Sequence, residues 1–170
     1  MPSLQDLLGF ELRDIAGARL LGEIPVSEAL INRLIAQRLA AKELPVTSLA
    51  IEAHDGGTLT AHVRLRTAFV PPLKVLLRIE QQPELPQSPV LVLRWSLGKL
   101  GALARMATPV LAGLNVLPPG IRVDGDLIGV DIGALLESRG YGEVLPHVAK
   151  LRVSTEPGRV VLWFETKVRV

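Results

Sequence analysis

The sequence contains no cysteine, few aromatic side chains and little net charge. With no cysteine among its 170 residues, the chain forms no disulfide and no thiolate metal site. Aromatic residues make up only 4% of a chain that is 48% hydrophobic, so the composition predicts an aliphatic core. The 19 basic and 17 acidic side chains leave a net charge of +2, which is small for a nucleic-acid-binding protein. We therefore expect no nucleic-acid partner.

Long hydrophobic runs are also missing. No uninterrupted apolar run reaches the roughly 18 to 20 residues of a membrane-spanning helix. Asp6 and Glu11 fall where the apolar part of a signal peptide would lie, and no basic segment precedes them. These absences predict a soluble, cytoplasmic protein. We expect one domain over residues 1–170, in which residues 1–17 form an amphipathic N-terminal segment.

The longest helical pattern covers residues 97–117. Only Lys99 and Arg105 carry charge there, and a helix that is apolar nearly all round must be covered by other elements. The apolar residues at helical spacing are Leu97, Leu100, Leu103, Ala104, Ala107, Val110, Leu111 and Leu114. The sequence therefore predicts a central helix covered by strands.

A second helix is predicted from Ser27 to Lys42. Ser27 is a good N-cap, and Glu28 favours the N-terminal end of the helix dipole. The apolar spacing predicts five inward-facing residues: Leu30, Ile31, Leu34, Ile35 and Leu39.

From Val46 the apolar period changes to two, which is typical of strands. The apolar positions alternate with polar ones at Leu59, Ala61, Val63 and Leu65, then at Leu73, Val75, Leu77 and Ile79, and in a last hairpin at Val160, Leu162 and Phe164. Asp55-Gly56-Gly57 predicts a hairpin turn. The fold class we predict is α+β, a highly curved antiparallel β-sheet wrapped around one or two long apolar helices.

The sequence carries no local signature of catalysis or metal binding. The three histidines are isolated from one another, and the glycines form no phosphate-binding motif. A calcium loop starting at Asp124 fails because Ile128 and Leu135 stand at ligand positions. We expect no enzymatic activity, no metal and no cofactor, with one alternative: an enzyme built from His62 or His147 and a distant acid.

The apolar surplus favours a cavity for a lipid or another long apolar molecule, bound without chemistry. The predicted lining consists of Leu30, Leu34, Val63, Leu65, Val75, Leu77, Leu100, Leu103, Met106, Ala107, Val110, Leu111, Leu114, Leu162 and Phe164. The candidate contacts to anionic head groups, and to a membrane surface touched transiently, are Arg64, Arg66 and Arg78. A solid aliphatic core uses the same side chains. The alternative function is a structural or protein-interaction module that forms a homodimer through apolar strands such as residues 90–96.

Three stretches resemble the tubular lipid-binding superfamily, which contains bactericidal/permeability-increasing protein and the SMP domains. They are Val26-Ser27-Glu28-Ala29-Leu30-Ile31-Asn32, Leu117-Pro118-Pro119-Gly120-Ile121-Arg122-Val123, and Val130-Asp131-Ile132-Gly133-Ala134-Leu135-Leu136, the last followed by the final hairpin. The resemblance implies a long helix cradled by a curved antiparallel sheet, with a lipid held between them. Many bacterial relatives have a leader or a lipoprotein cysteine. We expect neither in this chain, so the envelope location of those relatives is not implied.

Overall fold

A computed structural model describes residues 17–40, 46–66, 71–97 and 120–167. In chain order these residues form β1 (Arg19–Ser27), α1 (Glu28–Ala40), β2 (Val46–His54), β3 (Thr58–Leu65), β4 (Leu73–Gln81), β5 (Val90–Ser96), β6 (Ile121–Asp124), β7 (Leu127–Asp131), α2 (Ile132–Glu137), a 3-10 helix (Gly142–His147), β8 (Val148–Glu156) and β9 (Arg159–Lys167).

Six strands form one antiparallel sheet in the order β2-β3-β4-β5-β7-β6. Gly56 and Gly57 turn the chain between β2 and β3, and both have the positive φ angles that glycine adopts without strain. Because side chains alternate across a strand, the apolar positions of this sheet share one face, which we call the inner face. Ala61 lies opposite Val75 there, and Leu77 lies opposite Trp95. The predicted hairpin and alternation are confirmed.

The remaining three strands form a second antiparallel sheet in the order β1-β9-β8. Its apolar side chains pack on the β5 and β7 part of the inner face, and together they form what we call the inter-sheet cluster. Its buried members are Leu91, Leu93 and Val153, with Ile79, Ile128, Val130, Ile132, Val160 and Leu162 packed against them. Full burial of one such aliphatic side chain contributes about 1.5 to 3 kcal/mol, so this cluster stabilises the contact between the sheets.

Helix α1 lies along the edge strand β2. The Ser27 hydroxyl accepts a hydrogen bond from the Leu30 backbone N–H at 3.3 Å, which confirms the predicted N-cap. Leu30 and Leu34 are 43% and 50% exposed, so the prediction that they face inward is wrong. The side of α1 that faces the sheet instead begins with the polar residues Glu28 and Asn32. Their side chains form hydrogen bonds with backbone groups of β2.

The predicted fold class is corrected by this arrangement. The structure is mostly antiparallel β-sheet, and the described ranges hold one helix of seven or more residues and no long apolar helix wrapped by a sheet. The physical reason is that α1 covers the edge of a sheet rather than filling a concave face. Residues 98–117 of the predicted central helix lie outside the described residues. Leu97, at its start, follows β5 and is buried against the inner face.

Among the described residues, no helix combines the length and apolar character needed to cross a membrane.

Candidate functional site

The inner face carries a second apolar cluster over strands β2 to β5. Its buried members are Ala61, Leu73, Leu77, Trp95 and Leu97, with Leu49, Ile51, Leu59, Val63, Leu65, Val75 and Ile128 packed against them. All of these residues belong to the six-stranded sheet or directly follow it, so we call this group the single-sheet cluster. Of the described residues, only Ile128 takes part in both clusters. Among the described residues, one half of the inner face therefore packs on the second sheet and the other half packs on residues of its own sheet.

The polar groups of the single-sheet cluster are satisfied locally. The Trp95 indole N–H donates to the Gly125 carbonyl oxygen at 3.0 Å, and its backbone N–H donates to the Asp126 carbonyl oxygen at 2.8 Å. The cluster contains no charged side chain. A molecule in contact with it would therefore meet aliphatic carbon and one indole ring.

The structure brings together only part of the predicted lining. Val63, Leu65, Val75 and Leu77 meet in the single-sheet cluster, whereas Leu162 belongs to the inter-sheet cluster. The Phe164 ring lies against Gly22 of β1, so close that a Cβ atom there would be 2.1 Å from the ring. Leu30 and Leu34 are exposed on α1 and do not join these residues. The other predicted lining residues lie outside the described residues: Leu100, Leu103, Met106, Ala107, Val110, Leu111 and Leu114.

The predicted head-group contacts are on the opposite face of the same sheet, which we call the outer face. Arg64 and Arg78 point outward from β3 and β4 and are exposed, and Arg66 is exposed just beyond the end of β3. Lys74 and the 46% exposed Leu76 lie on the same face. The basic set and the apolar set are therefore separated by the thickness of the sheet.

Arg94 is the one outer-face arginine with ion pairs to other described residues. Its guanidinium bonds Glu80 at 3.1 Å and also Asp126. These hydrogen bonds, first to Glu80 and then to Asp126, raise the pKa of Arg94. Arg94 lies directly opposite Arg78 in the sheet, so the two carboxylates offset the repulsion between these arginines.

The histidines on the outer face, His54 and His62, each have a polar partner among the described residues. His62 Nε2 lies 3.1 Å from Glu52 Oε2, and His54 Nε2 lies 2.8 Å from the Thr60 hydroxyl. The hydrogen bond from His62 is the main cause that lowers the pKa of Glu52. Within the described ranges, no group of three or more His, Cys, Asp or Glu residues is placed to hold a metal ion. Asp131, which follows the rejected calcium loop's first residues, caps α2 by accepting a hydrogen bond from the Ala134 N–H at 3.0 Å.

Polar side chains that bond to strand edges were not predicted from the sequence. Asn32 pairs with both backbone groups of Ile51, and the Glu28 carboxylate accepts from the Ala53 N–H at 2.7 Å. These two residues are four apart on an apolar helical stripe, a position at which a polar residue signals a specific partner. At the other sheet, the Gln82 amide pairs with both backbone groups of Val153 at 2.8 Å each.

Comparison with known proteins gives no match for this chain. No protein-family model, no curated protein and no solved structure is significantly similar to it.

Proposed function

We propose that the protein binds a long apolar molecule of the fatty-acyl or phospholipid class without catalysing a reaction on it. The observation that carries this proposal is the single-sheet cluster, whose side chains come from one layer and are aliphatic except for one indole. Several of them, among them Val63, Leu65 and Val75, are only partly buried. Ligand sites are concave and mainly apolar, and this half of the inner face has that chemistry.

The expected strength of binding follows from the apolar surface that a ligand buries. Each methylene moved from water into an apolar environment contributes about 0.8 kcal/mol. An acyl chain that buries about ten methylenes would gain about 8 kcal/mol, which corresponds to a dissociation constant near 1 μM before ordering costs. The resemblance to tubular lipid-binding proteins implies the same ligand class.

The basic residues of the outer face would have a different role from head-group recognition inside the site. Arg64, Arg66 and Arg78 are on the far side of the sheet from the single-sheet cluster. We propose that they contact an anionic membrane surface transiently, with Leu76 exposed between Lys74 and Arg78. Each basic residue near such a surface contributes about 1 kcal/mol.

Two adjacent residues of β4 provide a matched test. Val75 faces the single-sheet cluster and Leu76 faces outward, so tryptophan at either position adds bulk to the same strand on opposite faces. We would titrate each variant and the unmodified protein with the fluorescent fatty acid cis-parinaric acid. Val75→Trp should weaken binding about tenfold or more, a loss of about 1.4 kcal/mol, and Leu76→Trp should leave it nearly unchanged.

Native mass spectrometry of the purified protein provides a second readout, because a retained lipid adds its own mass. The proposal is wrong if the unmodified protein binds no cis-parinaric acid and carries no extractable lipid. It is also wrong if Leu76→Trp weakens binding as much as Val75→Trp does, because the ligand would then not distinguish the two faces.

The alternative function, a structural or protein-interaction module, is supported by exposed apolar side chains, but not by those of the strand that suggested it. Strand β5, which suggested it from sequence, lies between β4 and β7 and is paired along both edges. Exposed apolar side chains occur instead on β1, at the edge of the three-stranded sheet.

A further inference from the structure

Strand β1 presents apolar side chains to solvent on both of its faces. It is the outer strand of the three-stranded sheet, paired with β9 along one edge. Leu20, Leu21 and Ile24 are 63%, 75% and 50% exposed, although side chains of this type are usually buried in cores. A partner that covers both faces of a strand at once is another strand added at its edge.

The sequence of β1 is complementary to itself in one antiparallel register. If Leu21 lies opposite Leu21 of a second copy, Arg19 falls opposite Glu23 of that copy, and the symmetry repeats this ion pair. In the same register Leu20 falls opposite Gly22. Opposite charges and apolar side chains facing each other across strands are both stabilising.

The residues next to the proposed strand pairing are compatible with this register. Gly22 has no side chain, and the Phe164 ring of the neighbouring strand lies against it. Leu20 of a second copy would therefore meet an aromatic ring. Pro25, which lacks a backbone donor, falls opposite Gly17 and so beyond the paired stretch of residues 19–23.

We propose that two copies of the chain associate through β1, antiparallel and centred on Leu21, so that the two three-stranded sheets become one sheet of six strands. The interface is separate from the single-sheet cluster, and the proposal is independent of the proposed ligand binding. Arg19 keeps its ion pair with Glu165 of its own chain, at 3.5 Å, beside the new partner.

The absence of cysteine allows a direct crosslinking test. In the proposed dimer, the two residues at position 21 face each other at the two-fold axis. For Leu21→Cys, the distance between their Cα atoms falls in the range of about 4.4 to 6.8 Å that a disulfide requires. Glu23→Cys is the control, because the two thiols would be four residues apart along the strands, about 13 Å. Both sites are exposed, so neither substitution removes a core contact. Mild oxidation should give a covalent dimer for Leu21→Cys and not for Glu23→Cys.

Charge exchange provides an independent test by sedimentation. The Arg19→Glu homodimer and the Glu23→Lys homodimer each place two pairs of like charges face to face. We expect both to dissociate about tenfold more readily than the unmodified dimer. A mixture of the two variants should form a heterodimer of nearly the original affinity, because its charge pairs are again opposite.

The proposal is overturned if Leu21→Cys crosslinks no faster than Glu23→Cys, or if mixing the charge variants fails to restore association. It is also overturned if the unmodified chain sediments as a monomer at high micromolar concentration. The crosslinking and sedimentation results do not depend on whether Val75→Trp loses cis-parinaric acid binding. Failure of the dimer proposal can therefore be distinguished from failure of the ligand-binding proposal.

Discussion

Replacing Asn32 with alanine should destabilise the protein through the edge of β2. The Asn32 side-chain amide donates to the Ile51 carbonyl oxygen at 2.9 Å and accepts from the Ile51 N–H at 2.7 Å. It thus forms the two hydrogen bonds that a neighbouring strand would form. Both bonds are partly buried, so water replaces them incompletely when the amide is removed.

The expected magnitude follows from counting these bonds. Each contributes about 1 kcal/mol net, and backbone groups left unpaired in a partly buried position add to the loss. Alanine has a higher helix propensity than asparagine, which offsets a few tenths of a kcal/mol. We therefore expect Asn32→Ala to lower the free energy of unfolding by about 2 kcal/mol. Asn32→Asp should cost at least as much, because its second oxygen faces the Ile51 carbonyl oxygen.

Urea unfolding measures this change, provided that the slope of the free energy against urea stays constant. Gln37→Ala is the matched control, since it removes an amide from an exposed position of the same helix. The reasoning is refuted if Asn32→Ala loses less than about 0.5 kcal/mol relative to Gln37→Ala, because the edge bonds would then add almost nothing.

Two further predictions concern other polar contacts. Gln82→Ala should lower the free energy of unfolding by about 2 kcal/mol in urea, because it removes the same paired bonds from Val153; an unchanged unfolding midpoint would contradict this. His62→Ala should raise the pKa of Glu52 toward 4.5, measured by NMR titration. Since the folded pKa is lowered, this contact stabilises the protein above pH 4.5, and the stabilisation is lost as the pH falls through the folded pKa. In His62→Ala that pH dependence should weaken, because only the charges of His54 and Lys74 still lower the pKa of Glu52.

The strands could be predicted because their signal is local. The alternation in β3 and β4 and the glycines at 56 and 57 each act over a few residues. The faces followed from the same alternation, which placed Val63 and Val75 in one cluster. No long-range information was needed for these features.

The layer arrangement could not be predicted because it depends on contacts far apart in the sequence. Apolar spacing treated Leu30 and Leu34 as core residues, yet the helix turns its polar residues toward the sheet. Helical periodicity records which residues share a stripe, and it does not record whether that stripe meets a sheet face or a strand edge. A stripe that contains Glu28 and Asn32 is suited to an edge, where backbone donors and acceptors are unpaired.

The two sheets have four edge strands, which differ in how they are protected from pairing with another chain. In the part of the chain that the structure describes, the edge of β2 is bonded by Asn32 and Glu28, and the edge of β8 is bonded by Gln82. The third edge, β6, is only four residues long, and short edge strands pair poorly with other chains. Strand β1 has nine residues and exposed leucines at its edge. Because the other three edges are blocked or short, an exposed apolar edge at β1 is better explained by a specific partner than by chance, and its own sequence supplies the complementary charges.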